Sequence, residues 1–305
     1  MLAQEKRELF DILGKENVWF DEPMKNHTSF HIGGPADIFA CPTKIEQIQK
    51  TKFFCMDKGI SFYVMGNGSN LLVDDKGYQG CILQVGTNFS EIKVSGSKIF
   101  AQSGALLSKL SNVALEAGLT GLEFASGIPG SVGGAMVMNA GAYDGQMKNI
   151  VQTVRVLDDA GKELVFTKEE MEFGYRTSIL KRNPYLVTEV VFALTKGNKE
   201  EIKKKQEGFT KSRIEKQPLT YPSAGSTFKR PEGFFVGKLI MDAGLKGYAI
   251  GDAQVSEKHC GFVINRGNAT SKDVKDLIAY IQKEINEKFS VMLEPEVVFL
   301  DTGRK

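Results

Sequence analysis

Histidine and cysteine are scarce in this 305-residue sequence, with three of the first and four of the second. Cys41, Cys55, Cys81 and Cys260 are scattered, without the paired spacing that a tetrahedral zinc site requires, and nothing about them suggests a disulfide framework. No apolar run approaches the roughly 20 residues that span a bilayer. The opening MLAQEKRELFDILGKEN is charged and amphipathic, and it lacks the apolar core of a signal peptide. An excess of charge is missing too: 39 Lys and Arg against 37 Asp and Glu give a formal net charge of +2, too little to argue for nucleic acid. Internal repeats and low-complexity segments are absent. The expectation is a reduced, cytoplasmic protein, a monomer or weak oligomer, with no metal, no nucleic acid and no membrane insertion.

What is abundant is glycine, 32 residues of it, and its placement is uneven. The stretch Ser126–Gly145, SGIPGSVGGAMVMNAGAYDG, holds six glycines and scarcely any charge. Glycine serves where the backbone must take a positive φ or approach something closely. Such a run suggests peptide N–H groups wrapped against a large ligand, with a tightly turned core crossing as the alternative.

Along the chain, residues 3–15 read as a surface helix. The segment NHTSFHIGGPADIFACP alternates like a strand broken at Gly33–Gly34–Pro35, and Thr43 with Glu46 form a capping box for the helix that follows. Residues 60–65, 71–73 and 81–85 read as short strands, with GNGSN (66–70) as a turn. Two more strands (91–94 and 99–102) and a helix ending at Gly118 lead into the glycine-rich stretch. Strands at 151–157, 162–166 and 186–194 come after it. A lysine-rich helix (199–216) then crosses into a unit with a helix at 234–243. Alternating strand-like segments follow, and Thr270 and Asp273 cap a second amphipathic helix. GNGSN is not a dinucleotide fingerprint: Leu71 occupies the third-glycine position and a strand-like LLVDD follows where a helix is needed. It remains a turn with exposed amides and the side chains of Ser69 and Asn70.

Seven segments, TSFHIGGPAD, VMGNGSNLLV, GIPGSVGGAMVMNAGAYDG, FGYRTSIL, YPSAGSTFKRP, GDAQVSEKHCGFVIN and LEPEV, run from residue 28 to 297 in one order. Together they resemble the UDP-N-acetylenolpyruvoylglucosamine reductase (MurB) family. GIPGSVGG alone would indicate only the broader vanillyl-alcohol-oxidase-like class of FAD domains, whereas GYR, AGS-x-FK and LEPEV are more specific. The resemblance implies an α+β fold. A two-subdomain FAD-binding unit (residues 1–85 and 86–199) would precede a smaller substrate-binding domain (200–305), whose C-terminal strand returns to the active site. It implies a flavoenzyme of peptidoglycan precursor synthesis with non-covalent FAD, NADPH as co-substrate, and UDP-N-acetylglucosamine-enolpyruvate as the partner reduced to UDP-N-acetylmuramate. Longer members carry a tyrosine-bearing loop over the substrate. Only a few residues separate Arg176 from the Leu186 strand here, so the chain is similar to the shorter type.

Carried over by motif, the catalytic residues are Arg176, Ser226 and Glu296. FAD is assigned to Gly66, Asn67, Gly68, Ser69 and Asn70, and to Ser126, Gly127, Ile128, Pro129, Gly130, Ser131, Gly133, Gly134, Asn139 and Gly141. Tyr175, Lys216, Lys229, Arg230 and His259 are the candidate substrate contacts. Hydride addition to an enolpyruvyl double bond develops negative charge beside the carboxylate, so the site needs a fixed cation or donors there and an acid for the carbanionic carbon. Arg176 suits the first need, because a guanidinium is always charged and grips a carboxylate with two bonds; taken alone it would be an ordinary surface ion pair. Ser226 alone would be a turn residue, and Gly225 and Thr227 suit a turn that presents its hydroxyl. Glu296 would repel the developing charge if ionised. It is therefore either protonated when it acts, with Val297, Val298 and Phe299 as apolar company, or it orients a water or Arg176.

Overall fold

The computed structural model describes residues 2–301. Among them are seven α-helices: α1 (Ala3–Leu13), α2 (Ile45–Asp57), α3 (Leu107–Glu116), α4 (Val132–Met138), α5 (Lys199–Lys216), α6 (Val236–Asp242) and α7 (Ser271–Phe289). The chain falls into two compact units, each assembled from non-consecutive stretches. The first comprises residues 1–19, 38–67 and 81–213, the second 20–37, 68–80 and 214–305.

The centre of the first unit is a five-stranded sheet in the order Glu163–Thr167, Val151–Leu157, Leu186–Ala193, Lys98–Gln102, Ile92–Ser95, with every neighbour antiparallel. Its inward residues Val154, Val190 and Ile99 are fully buried and pack with Leu107 and Leu110 of α3 and with Val132 and Met136 of α4. Along Val151–Leu157 the alternation holds over Val154, Arg155 and Val156, with the valines inside and Arg155 in water, while Gln152 is exposed beside an irregularity in the register between Val151 and Thr153. Another sheet runs in the order Val18–Pro23, Pro35–Ala40, Tyr78–Gln84, Phe62–Met65.

In the second unit, α7 lays Val274, Leu277, Ile278, Ile281 and Ile285 on one side, the helical spacing of an apolar stripe. That stripe packs with a three-stranded antiparallel sheet (Ala249–Ile250, Ala253–Val255, Val263–Asn265) and with Leu239 and Ile240 of α6. Thr270 caps α7: its hydroxyl accepts from Asp273 N at 3.0 Å, and the Asp273 carboxylate accepts from Thr270 N at 2.9 Å. This is the capping box read from the sequence.

Two expectations need correcting. The helix α2 starts one residue later than a Thr43 cap requires. Lys44 is its N-cap, and Gln47 reaches back to accept from Thr43 N (2.8 Å) and Thr43 Oγ1 (3.0 Å). Residues 27–34 are not a strand. His31 takes φ 55°, and Thr28 Oγ1 donates to Ile32 O at 3.0 Å, which closes a local turn instead of a ladder. The second unit takes in 20–37 and 68–80 besides the stretch from Ile214 onward. Long-range pairing is the reason. Leu71–Val73 runs parallel to Val298–Leu300, and Asn265 Nδ2 donates to Phe30 O at 3.1 Å.

Candidate active site

In the first unit the glycine-rich stretch leaves a short 3₁₀ turn (Glu123–Ala125), forms a loop and enters α4, whose N-cap is Ser131. Glu123 fixes the entry by accepting from Thr120 Oγ1 (2.5 Å) and Gly121 N (2.7 Å). None of the stretch's glycines has a positive φ; close approach is what requires Gly133, Gly141 and Gly145. A Cβ on Gly133 would lie 3.0 Å from Ser103 Cβ, and one on Gly145 would lie 2.3 Å from the Phe124 ring. These two glycines are consumed by packing. The wall around Gly127 is different, for its built Cβ meets only the Arg213 side chain, at 3.2 Å from Cδ. The turn before it is tied in, since Asn67 Nδ2 donates to Pro129 O at 2.9 Å and a Cβ on Gly66 would strike Ser131 Oγ.

Three polar atoms in this region are buried without a hydrogen-bond partner: Ser103 Oγ, Ser126 Oγ and Arg213 Nε. A buried donor left unmade costs about 1–3 kcal/mol, so three in one neighbourhood ask for a ligand rich in acceptors. A dinucleotide with a diphosphate supplies them, and the residues present fit FAD. Arg213 and Ser103 were not among the residues expected from the sequence. Arg213 lies in the lysine-rich helix α5, where the pattern indicates only a solvated face, and burial lowers its pKa from the usual arginine value. Ser103 has no motif around it.

Arg176 occupies the tip of a tight turn. Gly174 N donates to Thr177 O at 3.0 Å, and Thr177 N to Gly174 O at 3.5 Å, with Tyr175 and Arg176 between them. Arg176 has φ 54°, at the position where a type II turn favours glycine. Its Nη2 donates to Gly141 O at 3.3 Å, and its guanidinium lies 5.4 Å from the Tyr175 ring centroid. Tyr175 itself is exposed.

Ser226 and Glu296 are brought onto facing segments of the second unit. Gly225 (φ 78°) turns the chain, and Ser226 is exposed beside it. The next residue, Thr227, is buried and pinned on three sides: its N donates to Gly261 O (2.9 Å), its Oγ1 accepts from Val263 N (2.9 Å), and its O accepts from Glu296 N (2.8 Å). Phe228 bridges Pro295, and Lys229 N donates to Glu294 O at 2.8 Å, so STFK and EPE run antiparallel. Asn70 joins this group, donating from Nδ2 to Glu296 O at 2.9 Å and accepting from Val298 N at 2.9 Å. The GNGSN turn is therefore split: Gly66 and Asn67 belong to the first unit, Gly68, Ser69 and Asn70 to the second. Beside Glu296, Val297 is buried, Val298 half-buried and Phe299 exposed.

The candidate substrate cations differ in how committed they already are. Lys229 pairs with the Glu294 carboxylate. Arg230 stacks over the Phe235 ring at 4.0 Å and donates from Nε to Phe234 O. Lys216, at the end of α5, is exposed. His259 is half-buried, edge-on to Phe262, and its Nδ1 accepts from Gly261 N at 3.1 Å. Burial lowers its pKa below the ordinary value, against a smaller raising effect of a backbone hydrogen bond. A neutral ring accepting at Nδ1 carries its proton on Nε2, so it offers a donor instead of a full charge. Among the described residues, no cluster of three or more His, Cys, Asp or Glu side chains could hold a metal.

Two family models match the chain. One describes an FAD binding domain, over residues 36–167, and the other the C-terminal domain of UDP-N-acetylenolpyruvoylglucosamine reductase, over residues 217–300. A UDP-N-acetylenolpyruvoylglucosamine reductase of Caldanaerobacter subterraneus subsp. tengcongensis is 53% identical over 289 residues, 95% of each chain. The crystal structure of the UDP-N-acetylenolpyruvylglucosamine reductase of Thermus caldophilus superposes with a TM-score of 0.79 at 35% identity, covering 93% of this chain and 98% of that one. p-Cresol methylhydroxylase, 16% identical, matches with a TM-score of 0.50 over 64% of this chain and 43% of its own, a likeness of fold.

Proposed function

The chain belongs to the UDP-N-acetylenolpyruvoylglucosamine reductase (MurB) family, and from that premise we propose how its own residues carry the family's reaction. It is an FAD-dependent oxidoreductase that uses NADPH to reduce the enolpyruvyl group of UDP-N-acetylglucosamine-enolpyruvate, giving UDP-N-acetylmuramate for peptidoglycan synthesis. FAD, held by the groups named below, would supply hydride-transfer chemistry between NADPH and the terminal enolpyruvyl carbon.

The chain's share is binding, charge stabilisation and one proton. Ser126, Ser103, Arg213 and the Gly127–Gly134 backbone hold the cofactor, with Gly66 and Asn67 shaping the adjoining turn. Arg176 grips the substrate carboxylate as negative charge spreads into it. Ser226 gives its hydroxyl proton to the carbon that bears the carboxylate. Glu296, beside it, acts protonated or through a water. Lys229, Arg230, Lys216, Tyr175 and His259 serve the diphosphate and sugar. Charge-assisted bonds of this kind contribute about 1.5–3 kcal/mol each. We keep the division into FAD-binding subdomains at 1–85 and 86–199, followed by a substrate-binding domain at 200–305. We further propose a cytoplasmic enzyme, monomeric or weakly associating. Four free cysteines and the absence of a helix long and apolar enough to cross a membrane, both among the described residues, support that placement.

The observation that carries the assignment of the acid is the Thr227 O···Glu296 N bond of 2.8 Å, which sets two of the three motif residues on paired segments. Stopped-flow kinetics of the two half-reactions test it. Ser226→Ala should leave flavin reduction by NADPH intact and slow reoxidation by the enolpyruvyl substrate by about 10²–10⁴-fold, the usual contribution of a general acid. Equal losses in both half-reactions would make Ser226 a shaping residue instead.

A further inference from the structure

Asn139, at the end of α4, sits in the stretch that resembles FAD-binding sequences, but its side chain is occupied elsewhere. It is 2% exposed and takes φ 41°. Its Nδ2 donates to Gly174 O at 2.9 Å and to Gln146 Oε1 at 3.0 Å, while its Oδ1 accepts from Lys148 N at 2.9 Å. A carboxamide has two donor hydrogens, and both are used. Asn139 has no donor left for a cofactor.

We infer that Asn139, together with Ser178, is a positioning residue for Arg176; the inference rests on the role given to Arg176 above. Ser178 is fully buried and donates from Oγ to Val137 O at 3.0 Å. The end of α4 thus reaches both flanks of the turn, Gly174 before Arg176 and Ser178 after it. Between these struts Arg176 is held in a left-handed conformation that a long side chain avoids unless its surroundings impose it. The same Asn139 fixes the other contact of the guanidinium. Gly141, whose carbonyl oxygen accepts from Arg176 Nη2, pairs with Gln146 in a two-stranded ladder, and Asn139 bonds the Gln146 side chain. One buried amide therefore ties the backbone of Arg176 and the hairpin its head rests on. That is what a fork aimed at a carboxylate needs, since a misplacement of about 1 Å can cost on the order of 10²-fold in rate.

A double-mutant cycle on the holoenzyme tests this, with reoxidation by saturating substrate and flavin reduction by NADPH measured separately. Asn139→Ala should slow reoxidation by up to about 10²-fold, with no loss of FAD and little change in the NADPH half-reaction. In an Arg176→Ala background, adding Asn139→Ala should change reoxidation by no more than about 2-fold. In Asn139→Ala itself, Thr177 N–H, which pairs with Gly174 O, should exchange with solvent faster than in the parent. Losses that multiply across the cycle, release of FAD, or wild-type reoxidation in Asn139→Ala would each overturn the inference. If Asn139→Ala does not fold, Asn139→Asp and Ser178→Ala run through the same cycle. Wild-type reoxidation in Arg176→Ala alone would instead remove the role of Arg176, and this inference with it.

Discussion

The His259 imidazole sits where desolvation resists its protonation, so its pKa in the folded protein lies below the ordinary 6.5. In the unfolded chain the ring is solvated and binds its proton at the ordinary value. Between that value and the lower folded one, the unfolded state holds more protons, so stability rises with pH across this window. The contribution is fully present above the unfolded pKa and is lost as pH falls through the folded one. Urea unfolding from pH 8 to pH 5 should show the native protein losing stability toward acid more steeply than His259→Gln, with the two curves converging at the acid end relative to their spacing at pH 8. Parallel curves would mean that the ring titrates normally. At this scale the sequence was informative where a motif supplied the chemistry. Ser226 is exposed beside Gly225, whose φ of 78° bends the chain there. It was silent where burial supplied the chemistry. Nothing around Arg213 in a run of lysines tells which basic residue loses water, and the consumed donors of Asn139 are invisible without Gly174, 35 residues away.

Elements that begin and end on local chemistry were legible, and those shaped by distant partners were not. The cap of α7 illustrates both. Thr270 and Asp273 announce its start, yet a second cap arrives from residue 75. The Asp75 carboxylate accepts from Ser271 N (2.7 Å), Ser271 Oγ (2.8 Å) and Lys272 N (3.1 Å), meeting the unpaired amides and the positive end of the helix together. Asp75→Ala should therefore cost about 1–3 kcal/mol of stability, and Asp75→Asn, which keeps an acceptor but not the charge, should cost less. Chemical denaturation monitored on the α7 side of the protein would check the order. Equal costs for the two variants would mean that the retained acceptor adds nothing and that the cap acts through its charge. The shifted start of α2 is the same lesson in reverse: Thr43 and Glu46 have the right spacing, but Gln47 takes the Thr43 hydroxyl, and a spacing rule cannot see that competition.

For the whole molecule, each unit has its own core, and neither is a continuous stretch of sequence. Periodicity reveals strands, but it does not reveal that Leu71–Val73 pairs with Val298–Leu300, because that choice depends on what closes at a separation of more than 200 residues. The proposed cofactor groups with unsatisfied buried donors, Ser103, Ser126 and Arg213, all belong to the first unit. A ligand that binds the folded state stabilises what must stay folded to bind it, by about 2.7 kcal/mol at a hundred times its dissociation constant. Removing FAD should therefore weaken amide protection first in the core strands of the first unit, Val151–Leu157 and Leu186–Ala193. It should weaken the α7 core less, at Val274–Ile285. Hydrogen exchange on holo- and apoprotein, compared segment by segment, measures this directly. An equal loss in both would mean that the two cores open as one cooperative unit, and a loss confined to α7 would mean that the cofactor-holding groups have been sought in the wrong half of the chain.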